Sequence, residues 1–145
     1  MTEAFTYDAG NNVTQFTDGT GTTSLTYDDV GRFTGETKGA NTITYMYDGA
    51  ATGTRGRLVS VTDAAGRTVA HTYTVRGQLV SVSDGSGTAS YTYGAGGEEL
   101  GTVNANGTTV AKAYDDAGRV SSRDATLPQG VFLSYPPPRS SMARR

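Results

Sequence analysis

The chain has 145 residues, a formal net charge of −2, 35% hydrophobic residues and neither Cys nor Trp. Its 12 Lys and Arg do not exceed its 14 Asp and Glu, so it lacks the cationic surplus that binds nucleic acid, and without cysteine it can build neither a disulfide framework nor a thiolate site. Its 24 Thr, 20 Gly and 9 Tyr favour strands and tight turns over helices, and the low charge with so many tyrosines is not a disordered composition.

The segment Met1 to Tyr7 has no basic stretch followed by an apolar one, and no apolar run is long enough to cross a bilayer as a helix. No signal peptide and no membrane insertion by this chain are therefore expected, and any export is directed from outside it.

From Asp8 onward one four-residue frame recurs about every ten residues: a turn-opening residue, often Asp, followed three positions later by Gly or Asn. Its copies run Asp8–Asn11, Asp18–Gly21, Asp28–Gly31, Lys38–Asn41, Gly53–Gly56, Asp63–Gly66, Thr74–Gly77, Asp84–Gly87, Gly94–Gly97, Asn104–Gly107 and Asp115–Gly118. Two central right-handed residues make a type I turn, and a left-handed fourth residue rejoins a twisted hairpin; Gly or Asn adopts that conformation cheaply. Asp at the first position accepts hydrogen bonds from the turn's own N–H groups. Six or seven residues remain between turns, an ordinary strand length. The one large break, near residues 49–52, reads as a loop insertion from Gly49 to Thr52.

A slower period overlies the first. Tyr7, Tyr27, Tyr47, Tyr73, Tyr93 and Tyr114 each close a strand, at spacings of 20, 20, 26, 20 and 21 residues. A hairpin with one left-handed residue sets Tyr7 opposite Val13, Tyr27 opposite Phe33, Tyr73 opposite Leu79 and Tyr114 opposite Val120. Phe5, Leu25, Tyr45, His71, Tyr91 and Lys112 then share the tyrosines' face, while Thr6, Thr26, Thr72, Thr92, Val80, Val82 and Ser90 fall on the other. One aromatic face that packs and one Thr/Ser face that tolerates water are expected. On this register Phe16, Val61 and Val82 lie on the Thr/Ser face, with Glu36 and Arg123 at equivalent positions.

Residues 125–145 break the period with Leu127-Pro128, Pro136-Pro137-Pro138 and the basic end Arg139, Arg144 and Arg145. They are expected to form a mobile tail, and residues 1–124 the repeat sheet. About a dozen strands at ~4.8 Å spacing are too many to stay flat, so the predicted fold is all-β: antiparallel β-hairpin repeats forming a curved or spiral sheet. Such a sheet leaves two open edges.

Tyr27-Asp28-Asp29-Val30-Gly31-Arg32-Phe33 and Tyr114-Asp115-Asp116-Ala117-Gly118-Arg119-Val120 resemble the tyrosine-aspartate (YD, or RHS) repeat, Tyr-Asp-x-x-Gly-Arg-apolar. Weaker copies begin at Tyr7, Tyr47, Tyr73 and Tyr93, so the resemblance covers about residues 3–124. The family includes RHS elements of bacterial polymorphic toxins, shell-forming subunits of insecticidal toxin complexes, wall-associated proteins and teneurins. The resemblance implies a spiral sheet wrapping into a hollow shell around a toxic C-terminal polypeptide, within a far longer chain. No match to the conserved segment that follows the repeats in many members is present, so self-cleavage does not carry over.

No residue set assembles a catalytic, cofactor or metal site. His71, the only histidine, stands in a packing column with no second His or Cys to complete a site. The segments Asp18-Gly19-Thr20-Gly21 and Asp84-Gly85-Ser86-Gly87 lack the ligand density of calcium loops and read as turns. Adjacent Glu98 and Glu99 point to opposite faces of a strand and cannot act as a carboxylate pair. Asp28 with Arg32, and Asp115 with Arg119, read as exposed turn pairs. The expected role is a non-enzymatic structural segment of a secreted or cell-surface protein, without cofactor. Its expected partners are the rest of a parent polypeptide or an enclosed C-terminal toxin; the alternative is a module binding glycan or a cell-surface protein through exposed tyrosines.

Overall fold

The computed structural model describes residues 3–49, 56–130 and 132–135, the last four by their backbone alone. All regular structure among them is strand. The chain divides into two compact units, Met1–Gly77 and Gln78–Arg145. The first holds β1 (Ala4–Tyr7), β2 (Val13–Asp18), β3 (Gly21–Tyr27), β4 (Phe33–Lys38), β5 (Asn41–Tyr47), β6 (Leu58–Thr62) and β7 (Thr68–Tyr73). The second holds β8 (Leu79–Ser83), β9 (Thr88–Tyr93), β10 (Glu99–Val103), β11 (Thr109–Tyr114), β12 (Val120–Thr126) and β13 (Phe132–Tyr135). Within each unit every strand pairs antiparallel with its neighbours in sequence, a meander without crossovers.

The turns explain the meander. In the Asp28 turn, Gly31 N–H donates to Asp28 O at 2.9 Å and Asp28 N–H to Arg32 O at 2.9 Å. Gly31 stands at φ +80°, the left-handed conformation the frame demands. The same closing bonds recur at Asp63, Gly94, Asn104 and Asp115. Two frames reverse the chain where expected but by different geometry. At Lys38–Asn41 and Asp84–Gly87 the left-handed residues are Gly39 and Gly85, not Asn41 and Gly87. A glycine directly after the first residue permits the II′ type of turn, which suits a twisted hairpin equally well and removes the need for a left-handed fourth residue. Of the loop expected at 49–52, residues 50–52 lie outside the described residues.

The expected pairs Tyr7–Val13, Tyr27–Phe33 and Tyr114–Val120 are present. The facial assignment beyond them needs correction. Between Tyr7 and Thr6 the register shifts: Tyr7 faces Val13 but Thr6 faces Gln15, so one extra residue enters β2. This β-bulge flips the alternation, and Phe16 returns to the aromatic face opposite Phe5, ring centroids 6.3 Å apart. The same shift in the next hairpins places Val61 opposite Tyr45, Glu36 opposite Leu25 and Arg123 opposite Lys112. Val82 faces Ala89, which alternates onto the side of Tyr91 and Tyr93. Phe16, Val61, Val82, Glu36 and Arg123 therefore belong to the aromatic face, not the Thr/Ser face.

The sheet also continues past residue 124. β12 runs to Thr126, Gly130 N–H closes a turn on Leu127 O at 2.9 Å, and β13 pairs Phe132 with Thr126 through Tyr135 with Arg123. Leu127-Pro128-Gln129-Gly130 is thus another copy of the frame, Pro128 occupying the position a type I turn favours for it. Residues 136–145, with the triple proline, lie outside the described residues.

No hydrophobic side chain among the described residues is fully buried, and Thr23, 4% exposed, is the buried polar one. Most aromatic-face residues are half-buried, packed against neighbours along the sheet.

Candidate functional site

The residues with the most specific geometry are those of the Tyr-Asp-x-x-Gly-Arg cassette. In β3, Tyr27 donates its hydroxyl to Val13 O at 3.0 Å; in β5, Tyr47 donates to Phe33 O at 2.9 Å; in β7, Tyr73 donates to Leu58 O at 2.9 Å. In the second unit Tyr93 donates to Leu79 O and Tyr114 to Glu99 O, both at 2.8 Å. Each acceptor opens a strand, and Val13, Phe33, Leu58 and Glu99 do so next to a bulge, where the regular ladder is interrupted and a carbonyl needs another donor. Phe33 pairs with Tyr27 while its carbonyl receives Tyr47, and Leu58 pairs with Tyr47 while its carbonyl receives Tyr73, so within the first unit each repeat is bonded to the one before it.

The aspartate organises the turn beside this bond. Asp28 Oδ1 accepts from the N–H of Val30 and of Arg32, and Asp28 Oδ2 takes the Nε–H of Arg32. Arg32 then stands over the Tyr47 ring, 4.7 Å from its centroid, and Arg57, tied to Asp48, stands over Tyr73 at 4.9 Å. These cation–π contacts carry the link from one repeat to the next. Arg32 is thus more than turn decoration. Arg119 and Arg67 hold the same aspartate contacts, at Asp115 and Asp63, yet remain 80% exposed. Backbone N–H donors from Arg67 and Arg119 hold the Asp63 and Asp115 carboxyls below the ordinary 3.8. The side chains of Asn12, Thr20 and Ser86 do the same at Asp8, Asp18 and Asp84.

On the opposite face hydroxyls pair across strands. Thr6 with Thr14, Thr17 with Thr22, Thr37 with Thr42 and Thr62 with Thr68 lie 2.8–3.1 Å apart, a polar ladder compatible with water.

His71 lies half-buried on the aromatic side of β7, with a buried Nδ1 that meets no partner. Asp18 and Asp84 direct their carboxylates inward, onto Thr20 and onto Ser86 and Gly87, which is turn closure. Among the described residues no group of three or more His, Asp or Glu side chains could hold a metal ion. Glu99 and Lys112 occupy places that are apolar or aromatic in most other repeats and form an ion pair at 2.9 Å, supported by Thr102 Oγ1. The Lys112 ammonium holds the Glu99 carboxyl below its usual range, while burial, with Glu99 nearby, pushes the Tyr93 phenol up. The tyrosine-to-carbonyl bonds escaped the sequence because their acceptors are backbone atoms; the constant 14- or 15-residue interval from strand start to Tyr was the available signal.

Residues 54–89 match the family model described as RHS Repeat. No curated protein matches the sequence significantly. Among solved structures, the chain is similar to a crystal structure of TcdB2-TccC3-TEV, with a TM-score of 0.66 and 18% identity over 91% of this chain and 8% of that one. It is similar also to a crystal structure of TcdB2-TccC3-Cdc42, with a TM-score of 0.63 and 20% identity over the same shares. At these identities the likeness is one of fold, and this chain spans about 8% of the length of either.

Proposed function

Since this chain carries an RHS repeat on an antiparallel meander, we propose that it is a wall segment of a longer secreted or cell-surface protein, enclosing or displaying another polypeptide. The observation that carries this reading is the engagement of the tyrosines. Five phenols are used up in holding successive repeats together, and the turn carboxylates are used up in closing turns. What such a sheet does chemically is persist as a surface, and we assign it no catalytic role. The likeness in fold to TcdB2-TccC3 structures many times longer supports placing it within a large polypeptide. The same engagement works against glycan capture through Tyr27, Tyr47, Tyr73, Tyr93 and Tyr114, whose hydroxyls are already donated to the backbone.

An antibody raised against this chain tests the reading in source cells. The native species is expected to be many times larger than 15.1 kDa, and limited proteolysis is expected to protect a non-repeat polypeptide that denaturant then exposes. A native species near the size of this chain, or a partner digested equally fast in both conditions, would overturn it.

A further inference from the structure

The residue just before each carbonyl that takes a tyrosine hydroxyl varies along the chain: Asn12, Arg32, Arg57, Gln78 and Glu98 precede Val13, Phe33, Leu58, Leu79 and Glu99. The first four have engaged side chains. Asn12, Arg32 and Arg57 bind the carboxylates of Asp8, Asp28 and Asp48, and Gln78 Nε2 donates to Gly97 O at 2.9 Å. Glu98 reverses the arrangement. Its turn opens with Gly94 where the cassette has aspartate, and the Glu98 carboxylate folds back over that glycine, Oε1 filling the space a Cβ on Gly94 would need and Oε2 that of a Cβ on Gly96. The anion of the cassette is thus kept, supplied from the other end of the turn, and its cation is missing. Among the described residues no basic side chain pairs with Glu98, and Lys112 is committed to Glu99 at 2.9 Å. Nor does any cation among them cover the Tyr114 ring as Arg32 and Arg57 cover Tyr47 and Tyr73, at 4.7 and 4.9 Å.

We infer that Glu98 and the Tyr114 ring form a receptor for an arginine side chain of a partner polypeptide, its guanidinium taking the position that Arg32 and Arg57 take within the chain. Charge identifies the occupant. A half-buried carboxylate without a counter-ion attracts a cation, and a phenol held one residue away, on Glu99 O, favours a planar and weakly hydrated one. The guanidinium can donate to Glu98 while it lies on Tyr114, as Arg32 donates to Asp28 while it lies on Tyr47. The site needs nothing from either end of the chain. Glu98 stands in the turn between β9 and β10, and Tyr114 closes β11, all within the second unit. The inference concerns the chemistry of a partner and not its enclosure, so it and the wall reading can fail separately.

The test titrates the full chain, at low salt to limit screening, with the acetylated and amidated peptide Gly-Arg-Gly, followed by heteronuclear NMR. Saturable millimolar binding is expected, with shifts concentrated at residues 94–99 and on the Tyr114 ring. The matching Gly-Gln-Gly peptide does not bind, a control that needs no variant protein. Glu98→Gln keeps the shape of the side chain, removes its charge and weakens binding about fivefold. Gly94→Asp combined with Glu98→Arg rebuilds the internal pair and abolishes binding, because the site then holds its own guanidinium. Glu3→Gln, outside the site, leaves binding unchanged. Absence of binding, equal binding of the two peptides, shifts spread over the surface carboxylates, undiminished affinity in Glu98→Gln or full binding by the double variant would each overturn the proposal.

Discussion

A single phenol illustrates how this protein is held. The Tyr47 ring packs under Arg32 and its hydroxyl satisfies Phe33 O, so Tyr47→Phe keeps the ring and removes only the bond. A loss of about 1 kcal/mol is expected, read by urea denaturation, because a half-buried carbonyl loses its donor. Tyr7→Phe, with no such bond to lose, is expected to unfold with wild type. The turn carboxylates give a second expectation. Those of Asp8, Asp18, Asp63, Asp84 and Asp115 are more acidic folded than at the ordinary 3.8. At Asp28 partial loss of water is the largest single influence and opposes the shift, but the hydrogen bonds from Arg32 and Val30 and the Arg32 charge together outweigh it. The unfolded chain therefore takes up protons first, so this stabilisation is complete above about pH 4 and is lost as pH falls toward the folded values. Thermal melting followed by circular dichroism should be level with respect to these groups near neutrality and decline below pH 4. A melting temperature that rises on acidification through that window would contradict the turn geometry.

At the scale of the hairpin, the bulge is the distinguishing device. Gly35 pairs with Thr26 directly beside it, and a Cβ there would lie 2.8 Å from Ile43 O in the facing strand. Gly35→Ala should cost about 2–3 kcal/mol, the range of overpacking with backbone displacement. Gly118 differs: at φ +74° with nothing within 4 Å, its replacement by Ala meets only left-handed strain, about 1–2 kcal/mol. Gly118→Asn should recover most of that, whereas Gly35→Asn should not, a contrast that parallel urea titrations resolve. The hairpins were legible in the sequence because their turns are written in side-chain chemistry: Asp opens them and Gly or Asn closes them. The bulge was not, because an inserted residue carries no chemical mark when it is Thr14 or Val59. Strict alternation therefore carried Phe16 and Val61 to the wrong side. The turn at Leu127 was missed for a related reason. Its first residue is not Asp, and Pro128 was read as a breaker where it stabilises the turn's second position.

At the scale of the molecule, stability is distributed. With no hydrophobic side chain fully buried among the described residues, each strand depends on its immediate neighbours, and folding free energy approximates a sum over adjacent pairs. Two consequences are measurable in urea. The denaturant slope should fall near 1 kcal/mol/M, the low end for small proteins in spite of 145 residues, since less surface is newly exposed. Transitions monitored through tyrosines of the first and second units, each isolated by Tyr→Phe replacement in the other, should not coincide. A steep, single, probe-independent transition would indicate a consolidated core instead. The candidate site was legible at this scale only as a column of tyrosines; that the column is bonded required the positions of backbone carbonyls.

The bonds from each phenol all run the same way, from a later residue to an earlier one. A ribosome makes acceptors before donors. When Tyr27 leaves the exit tunnel, Val13 has already been synthesised, and when Tyr47 follows, Phe33 is waiting. Within each unit, then, the nascent chain can be fastened stepwise as it lengthens, each new tyrosine locking onto finished backbone without reference to sequence still to come.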